Sequence, residues 1–434
     1  TLKRAEEQLF SISKWANSRY DINLQGKIKY DRQFGKHDVG GLILAQRDYW
    51  ESYYGEIPYN VIGLAGRVTY QYDDRYLGEI NLGYNGSEQF APGNRFGFFP
   101  AASVGWVISN EAFMEDNSIL TYLKVRGSYG QSGNDKISDD RFLYMDDIEM
   151  SGGYLSSLGR GRGVSVGLLG NPQLSWEVAT KLNVGVDFKI MKDLRGSFDY
   201  FSEDRNDILI SRGKVPALQG VDLGNIPKAN MGEVDNKGYE IELTYNKTIN
   251  EDLSVRIRGN YGHNENEVVY ADEPIRDESY AYRYRQTGFQ IGQNWGYEID
   301  KDSKGGYWVS EEEIANSDLT YAFGEYGVGD FKYVDQNGDG VIDTKDIVPI
   351  GYSDDNPQDI YGLSLSANYK GFDFMVFFQG ASNYSSNYAD QGVYEYIKQG
   401  TYFGYHKNAW TKERYENNEK ITYPALSTQS NVNH

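Results

Sequence analysis

The run Asp335-Gln336-Asn337-Gly338-Asp339-Gly340-Val341-Ile342-Asp343-Thr344-Lys345-Asp346 has the clearest chemical spacing in the chain. Read as an EF-hand-like loop, it places side-chain oxygens of Asp335, Asn337, Asp339, Asp343 and Asp346 at the liganding positions. Val341 would lend its main-chain carbonyl, and Gly340 supplies the sharp turn between them. A hard cation such as calcium takes about 6 to 8 oxygens, so the spacing predicts a structural calcium site. The last position is Asp346 where Glu is usual; one methylene shorter, it reaches an ion less easily with both oxygens. The competing reading is an acidic Asx-type turn without metal. No flanking helical pattern accompanies the loop, so its expected role is to brace a long connection.

Aromatic side chains form a second group, in segments that connect more regular stretches: Trp50, Tyr53, Tyr54, Phe96, Phe98, Tyr280, Tyr282, Tyr284, Trp295, Tyr297, Tyr307 and Trp308. Aromatic faces beside Asp, Asn and Arg can grip sugar rings or peptide side chains. Trp50, Tyr282, Tyr284, Trp295, Tyr297 and Trp308 are therefore candidate substrate contacts. The competing reading has these rings packing the loops on one another or on a partner protein, because large ordered loops need cores of their own. Arg283, Arg285, Asp277 and Glu278 nearby read as solvated charge.

Covalent chemistry finds little support. There is no Cys, which removes thiolate nucleophiles, thiolate metal sites and disulfides. His37, His263, His406 and His434 are scattered, and Gly130-Gln131-Ser132-Gly133 lacks the spacing of a nucleophile elbow. No catalytic residue is expected, and Asp199, Glu203 and Asp204 read as wall and rim charge.

The elements that must carry these residues follow from a period of two. Tyr20, Ile22, Leu24, Gly26, Ile28 and Tyr30 share one face, and Asp21, Asn23, Gln25, Lys27 and Lys29 the other. The alternation recurs at 37–46, 64–72, 76–84, 99–108, 121–130, 181–190, 194–200, 239–245, 253–261, 361–369 and 372–378, which predicts about twelve strands in six hairpins. A tilted strand needs about 9 to 11 residues to cross a bilayer, longer than the usual 5 or 6 of soluble sheets. Short turns (31–36, 73–75, 191–193, 246–252, 370–371) alternate with long connections (47–61, 86–98, 131–177, 202–237, 262–357 and 381 onward). Tyr30, Tyr72, Tyr76, Tyr245, Tyr369 and Phe372 stand beside the short turns, where an interfacial girdle belongs. Helical periodicity is confined to short candidates at 3–16 and 309–316. The expected fold is all-β, a transmembrane antiparallel barrel segment occupying 1–434, with 262–357 as a long extracellular loop that holds the Asp-rich turn at 335–346. The alternative is a soluble sandwich with loops of similar length at both ends.

Composition agrees with this. Among 434 residues are 49 Gly and 38 Tyr but only 10 Pro, a blend suited to extended strands and tight turns. No window holds 18 consecutive apolar residues, which excludes a membrane helix and not a barrel. A net charge of −20 repels phosphate backbones, so no nucleic-acid partner is expected. The chain opens at Thr1 without a leader-like segment and stops in a polar stretch at His434, and is expected to be an internal piece of a longer protein.

Several stretches, in their order, resemble the SusC/RagA family of TonB-dependent outer-membrane transporters of the Bacteroidota: 66–90 (GRVTYQYDDRYLGEINLGYNGSEQF), 94–113, 123–134 (LKVRGSYGQSGN), 171–205, 230–243 (NMGEVDNKGYEIEL), 329–352 and 357–380. The resemblance implies a barrel of about 22 strands with an N-terminal plug and a TonB box, neither of which is in this sequence. It also implies a SusD-like surface lipoprotein as a hinged lid, contact with the TonB complex through the missing part, and import of large glycans or oligopeptides. The other readings are a passive porin and a surface glycan-binding or adhesin module.

Overall fold

The computed structural model describes residues 19–52, 57–138, 140–151, 163–276, 285–301, 305–386 and 402–426. The candidate helix at 3–16 lies outside them. Twelve strands form one sheet in which every hydrogen-bonded neighbour is the next long strand of the chain. These are β1 (Arg19–Phe34), β2 (His37–Ser52), β3 (Tyr59–Tyr72), β4 (Tyr76–Ser87), β5 (Phe96–Val107) and β6 (Leu120–Asn134). The hairpin β7 (Ile148–Ser151) and β8 (Gly163–Val166) stands apart, and the sheet resumes with β9 (Glu177–Ile190), β10 (Leu194–Ile210), β11 (Ala229–Asn250) and β12 (Leu253–Tyr270). Between β12 and the last pair the chain makes β13 (Trp295–Tyr297), β14 (Thr320–Tyr321), β15 (Val341–Ile342) and β16 (Ile347–Pro349). The last pair is β17 (Asp359–Tyr369) and β18 (Phe372–Ser382).

The chain divides into two compact units: Thr1–Val186 with Asn206–Ser211 and Ala217–Asn230, and Asp187–Arg205 with Arg212–Pro216 and Met231–His434. In the first unit the hairpins close on residues that accept a left-handed backbone. Gly35 has φ 62°, and Asp73 and Asp74 have φ 49° and 53°, the hand that matches strand twist in tight hairpins. In the second unit Lys370 and Gly371, at φ 49° and 86°, turn β17 into β18. The registers align the apolar positions into rows. Ile28 faces Ile43, Ile43 faces Gly66 and Gly66 faces Leu82, while Ile257 faces Leu365 and Leu365 faces Val376.

Those rows are not covered. Ile28 is 74% exposed, Leu64 50% and Phe374 64%, and the same side of the sheet exposes Ile22, Leu24, Val68, Ile80, Leu82, Leu243 and Leu363. A soluble sandwich buries this face in its core, and monomers in water rarely leave so large an apolar surface bare. Alternating apolar-out and polar-in positions on long antiparallel strands are instead the pattern of a barrel wall in lipid. The alternative of a soluble sandwich is therefore set aside. Among the described residues no helix is long and apolar enough to cross a membrane.

The ladders run further than the apolar pattern predicts. The turn expected at 31–36 shrinks to Gly35-Lys36, since β1 and β2 stay paired to Phe34 and His37. The turn expected at 246–252 shrinks likewise, with Asn250 paired to Leu253. Backbone pairing needs no apolar side chain, so strands continue past the zone where lipid dictates one.

Candidate functional site

The Asp-rich loop is built by its own backbone. Asp335 accepts from the amides of Gly338 (2.7 Å) and Gly340 (2.8 Å), and Asp339 from that of Val341 (2.9 Å). Asn337 accepts from Asp339 N (2.9 Å) and donates to the Asp339 carboxylate (3.0 Å). Gly338 and Gly340 take φ 73° and 80°, which a side chain would strain. Asp346 is fully buried and spans the loop, accepting from Gln336 N and Asp343 N at 2.9 and 2.8 Å. Among the described residues, no group of three or more Asp, Glu or His side chains is arranged as a metal cluster. The carboxylates here serve amides first and keep further lone pairs.

The amide of Gly340, then that of Gly338, holds the Asp335 carboxyl below the usual carboxylate range. A lowered folded-state pKa contributes stability above the unfolded value of about 3.9 and loses it as pH falls through the folded one. An Asp335→Asn variant is therefore expected to melt below wild type at pH 6, with the difference shrinking as pH falls below the unfolded-state value, read by near-UV circular dichroism. Equal melting at pH 6 would remove the role assigned to this charge.

Around that loop lies an aromatic core. Trp308 is 0% exposed, stacks on Tyr326 at 5.0 Å and donates its indole N–H to Tyr321 Oη at 3.1 Å. Tyr297 packs on Phe323 and Tyr333 at 5.1 and 5.2 Å, and Trp295 meets Phe289 edge-on at 4.8 Å. The short helix expected at 309–316 is present as Glu311–Ala315, capped by Ser310. Segment 402–426 docks here as well: Ala425 N donates to Gly329 O at 2.9 Å. A Cβ on Gly329, at φ 92°, would meet Trp410 and Ala425 at 2.5 Å. Trp308 is thus a core residue, which corrects its reading as a substrate contact: no face of the indole is left for a ligand. Tyr297 and Trp295 are half-buried in the same packing. Tyr282 and Tyr284 lie outside the described residues, as do Tyr53, Tyr54 and Tyr280.

In the first unit Trp50 stacks on Tyr59 at 3.6 Å, with the Arg19 guanidinium 4.0 Å over Trp50 and that of Arg141 3.5 Å over Tyr59. Arg141 also pairs with Glu88 at 2.9 Å, and burial nevertheless pushes the Glu88 carboxyl up. Both faces of Trp50 are used, so it can offer a ligand only its edge, at a recess of about 470 Å³ that Tyr59, Lys136 and Phe142 also line. Beside this stack, Phe90, Phe99, Leu143, Leu174 and Trp176 form a buried cluster. Gly133 leaves room for the Phe99 ring, which a Cβ there would overlap. Phe96 and Phe98, read from sequence as loop residues, stand on β5 beside Tyr84, paired through Gly86 and Tyr84 on the apolar face. They belong to the wall, because the β4–β5 pairing starts earlier than the loop was expected to end.

The polar side of each unit has a recess. One of about 780 Å³ is lined by Asp31, Thr69, Glu79, Ser103 and Arg126. The other, of about 960 Å³, is lined by Asp199, Glu240, Glu242, Arg258 and Asn260. Glu203 pairs with Arg205 at 2.6 Å. Asp359, which sequence reasoning passed over, gathers Tyr261 Oη (2.7 Å), His263 Nδ1 (2.7 Å), Ser382 Oγ (3.3 Å) and Asn383 Nδ2 (2.6 Å), tying the ends of β12, β17 and β18. Only the register reveals it, since its partners are far apart in sequence. The Ser382 hydroxyl bonds the Asp359 carboxylate and not the His263 ring, whose Nε2 lies 3.4 Å from Glu265, so the cluster ties strand ends together and is not arranged to activate a nucleophile.

Long antiparallel strands, apolar on one face and polar on the other and joined alternately by short turns and folded connections, define the wall of a transmembrane β-barrel. Residues 6–369 match the family model described as TonB dependent receptor-like, beta-barrel, and the chain belongs to that family. It is 30% identical over 360 residues to TonB-dependent receptor P3 of Formosa agariphila, covering 79% of this chain and 33% of the relative. With TonB-dependent receptor SusC of Bacteroides thetaiotaomicron it shares 25% over 402 residues, covering 84% of this chain and 38% of that one. The chain thus spans about a third of the length of the curated relatives it matches. Among solved structures, the RagAB peptide importer in its open-open state superposes with a TM-score of 0.68 at 19% identity, over 96% of this chain and 46% of that one. The relatives are receptors and not enzymes.

Proposed function

We propose that this chain is barrel wall and loop of an outer-membrane importer that works with TonB and with a SusD-like surface lipoprotein, and that its cargo is a glycan or an oligopeptide. The observation that supports this most is the folded assembly of 285–301 and 305–352 with 402–426. A passive pore needs no such platform, whereas capture between loops and a lid protein does. The names of the similar proteins, SusC and the RagAB peptide importer, point the same way. The long connections face the cell exterior in this reading and the short turns the periplasm. The barrel supplies a rigid wet wall and performs no covalent step. Deleting the gene from the native host and following uptake of defined oligosaccharides and peptide mixtures tests it. Loss of uptake for one class, repeated when TonB is deleted, is expected. Uptake that survives TonB loss would favour the passive pore, and extraction without detergent would favour an adhesin.

The 335–346 loop, in the same proposal, binds calcium through Asp335, Asn337, Asp339, Asp343, Asp346 and the Val341 carbonyl, and holds the platform in shape. Alternating oxygens and the left-handed Gly340 support this. Elemental analysis of the whole transporter is expected to find one calcium per chain fewer in an Asp335→Ala/Asp339→Ala variant. Equal content would leave the loop as an Asx-type turn.

A further inference from the structure

We propose that the apolar face of the first four strands carries a binding site for a phospholipid at the short-turn end of the barrel. Two neighbouring positions on that face lack side chains. Gly41 pairs with Tyr30 and Val68, and Gly66 pairs with Ile43 and Leu82, one row away. The gap is a groove of about 320 Å³ bordered by Ile28, Tyr30, Ile43, Val68, Ile80 and Leu82. A Cβ built on Gly41 or Gly66 meets nothing within 4 Å, and neither backbone has positive φ. The glycines are therefore not demanded by a turn or by close packing, and the space they leave is open.

The occupant follows from what flanks the groove. Two residues from Tyr30 on the same face stands Arg32, its guanidinium 4.9 Å over the Phe34 ring and with no ion-pair partner among the described residues. A cation facing lipid is costly unless it reaches the headgroup zone and an anion. The aromatic row Tyr72, Tyr76 and Trp106, stacked at 6.4 Å spacings, marks that zone at the same end of the strands. Arg32 lies roughly 7 Å from Tyr30 along the strand, a span comparable to the glycerol between a lipid phosphate and its acyl chains. An acyl chain in the groove with its phosphate on Arg32 satisfies both features, and a guanidinium suits phosphate through two parallel hydrogen bonds. The site needs only a barrel wall in lipid and holds whichever side of the membrane the short turns face.

The test uses the whole transporter purified in mild detergent, titrated with phosphatidylglycerol and read by native mass spectrometry. Wild type is expected to retain one lipid per chain. Gly41→Val/Gly66→Leu, which fills the groove with residues the strand accepts, is expected to lower retention at least tenfold. Arg32→Gln is expected to lower it several-fold, and Gly259→Val, a filled glycine on the outward face of β12, to leave it unchanged. Wild type that emerges free of lipid, or groove-filled protein that retains it equally, overturns the proposal. Inorganic phosphate that displaces the lipid would overturn it too, by reducing the site to Arg32 alone.

Discussion

Replacing Trp308 with alanine is expected to unfold the connection between β12 and β17 while the wall stays intact. The indole is fully buried, stacks on Tyr326, donates to Tyr321 Oη and lies 4.9 Å from the Lys332 ammonium. Main-chain bonds join the same residue to Asp330 O and Gly329 N at 3.0 and 2.7 Å. Truncating a buried Trp costs about 3 to 5 kcal/mol, a large share of what so small a folded segment commands. Hydrogen exchange should show amides of 305–349 losing protection by two orders of magnitude or more, with those of β3 and β4 unchanged. A ligand-contact role predicts the reverse, weakened binding with protection intact. Segment 402–426 should loosen in the same variant, because Ala425 N bonds to Gly329 O beside Trp308.

The second large effect concerns the wall. Leu64 lies on β3 between Tyr59 and Tyr72, half exposed on the apolar face. An arginine there would sit near the middle of the hydrocarbon, at a cost of about 2 to 4 kcal/mol. Leu64→Arg is expected to lower the midpoint of urea unfolding in lipid vesicles by that amount. Gln25→Arg, on the opposite face beside Lys27 and Lys29, is expected to change it by less than about 0.5 kcal/mol. Equal effects at the two positions would contradict the assignment of faces on which the barrel reading and the lipid groove both rest.

Much of the wall was legible from residue types alone. The alternation from Tyr20 to Tyr30 and from Leu64 to Tyr72 names the outward face directly, because a strand turns each successive side chain to the opposite side. All twelve expected strands are in the sheet, and Lys370-Gly371 turns where it was expected to. Strand ends were less legible, since pairing continues to Phe34, Asn250 and Phe96 on hydrogen bonds that leave no mark in hydropathy. Loop aromatics were ambiguous between packing and binding for a related reason. Trp308 and Trp50 have the composition of a binding surface, and only their neighbours reveal that their faces are already covered.

The one-dimensional pattern thus determined the class of protein, the face each strand residue takes and the acidic loop with its glycine turn. These depend on local periodicity and on the backbone freedom of single residues, both written in the order of amino acids. Tertiary structure alone decided that Asp359 gathers His263 and Tyr261, that 402–426 docks on Gly329, that Arg141 and Arg19 close the Trp50 stack, and that Gly41 and Gly66 open one groove. Each brings together residues from different strands or loops. Contact between them depends on register and on which loop folds over which, quantities that no single segment of sequence carries.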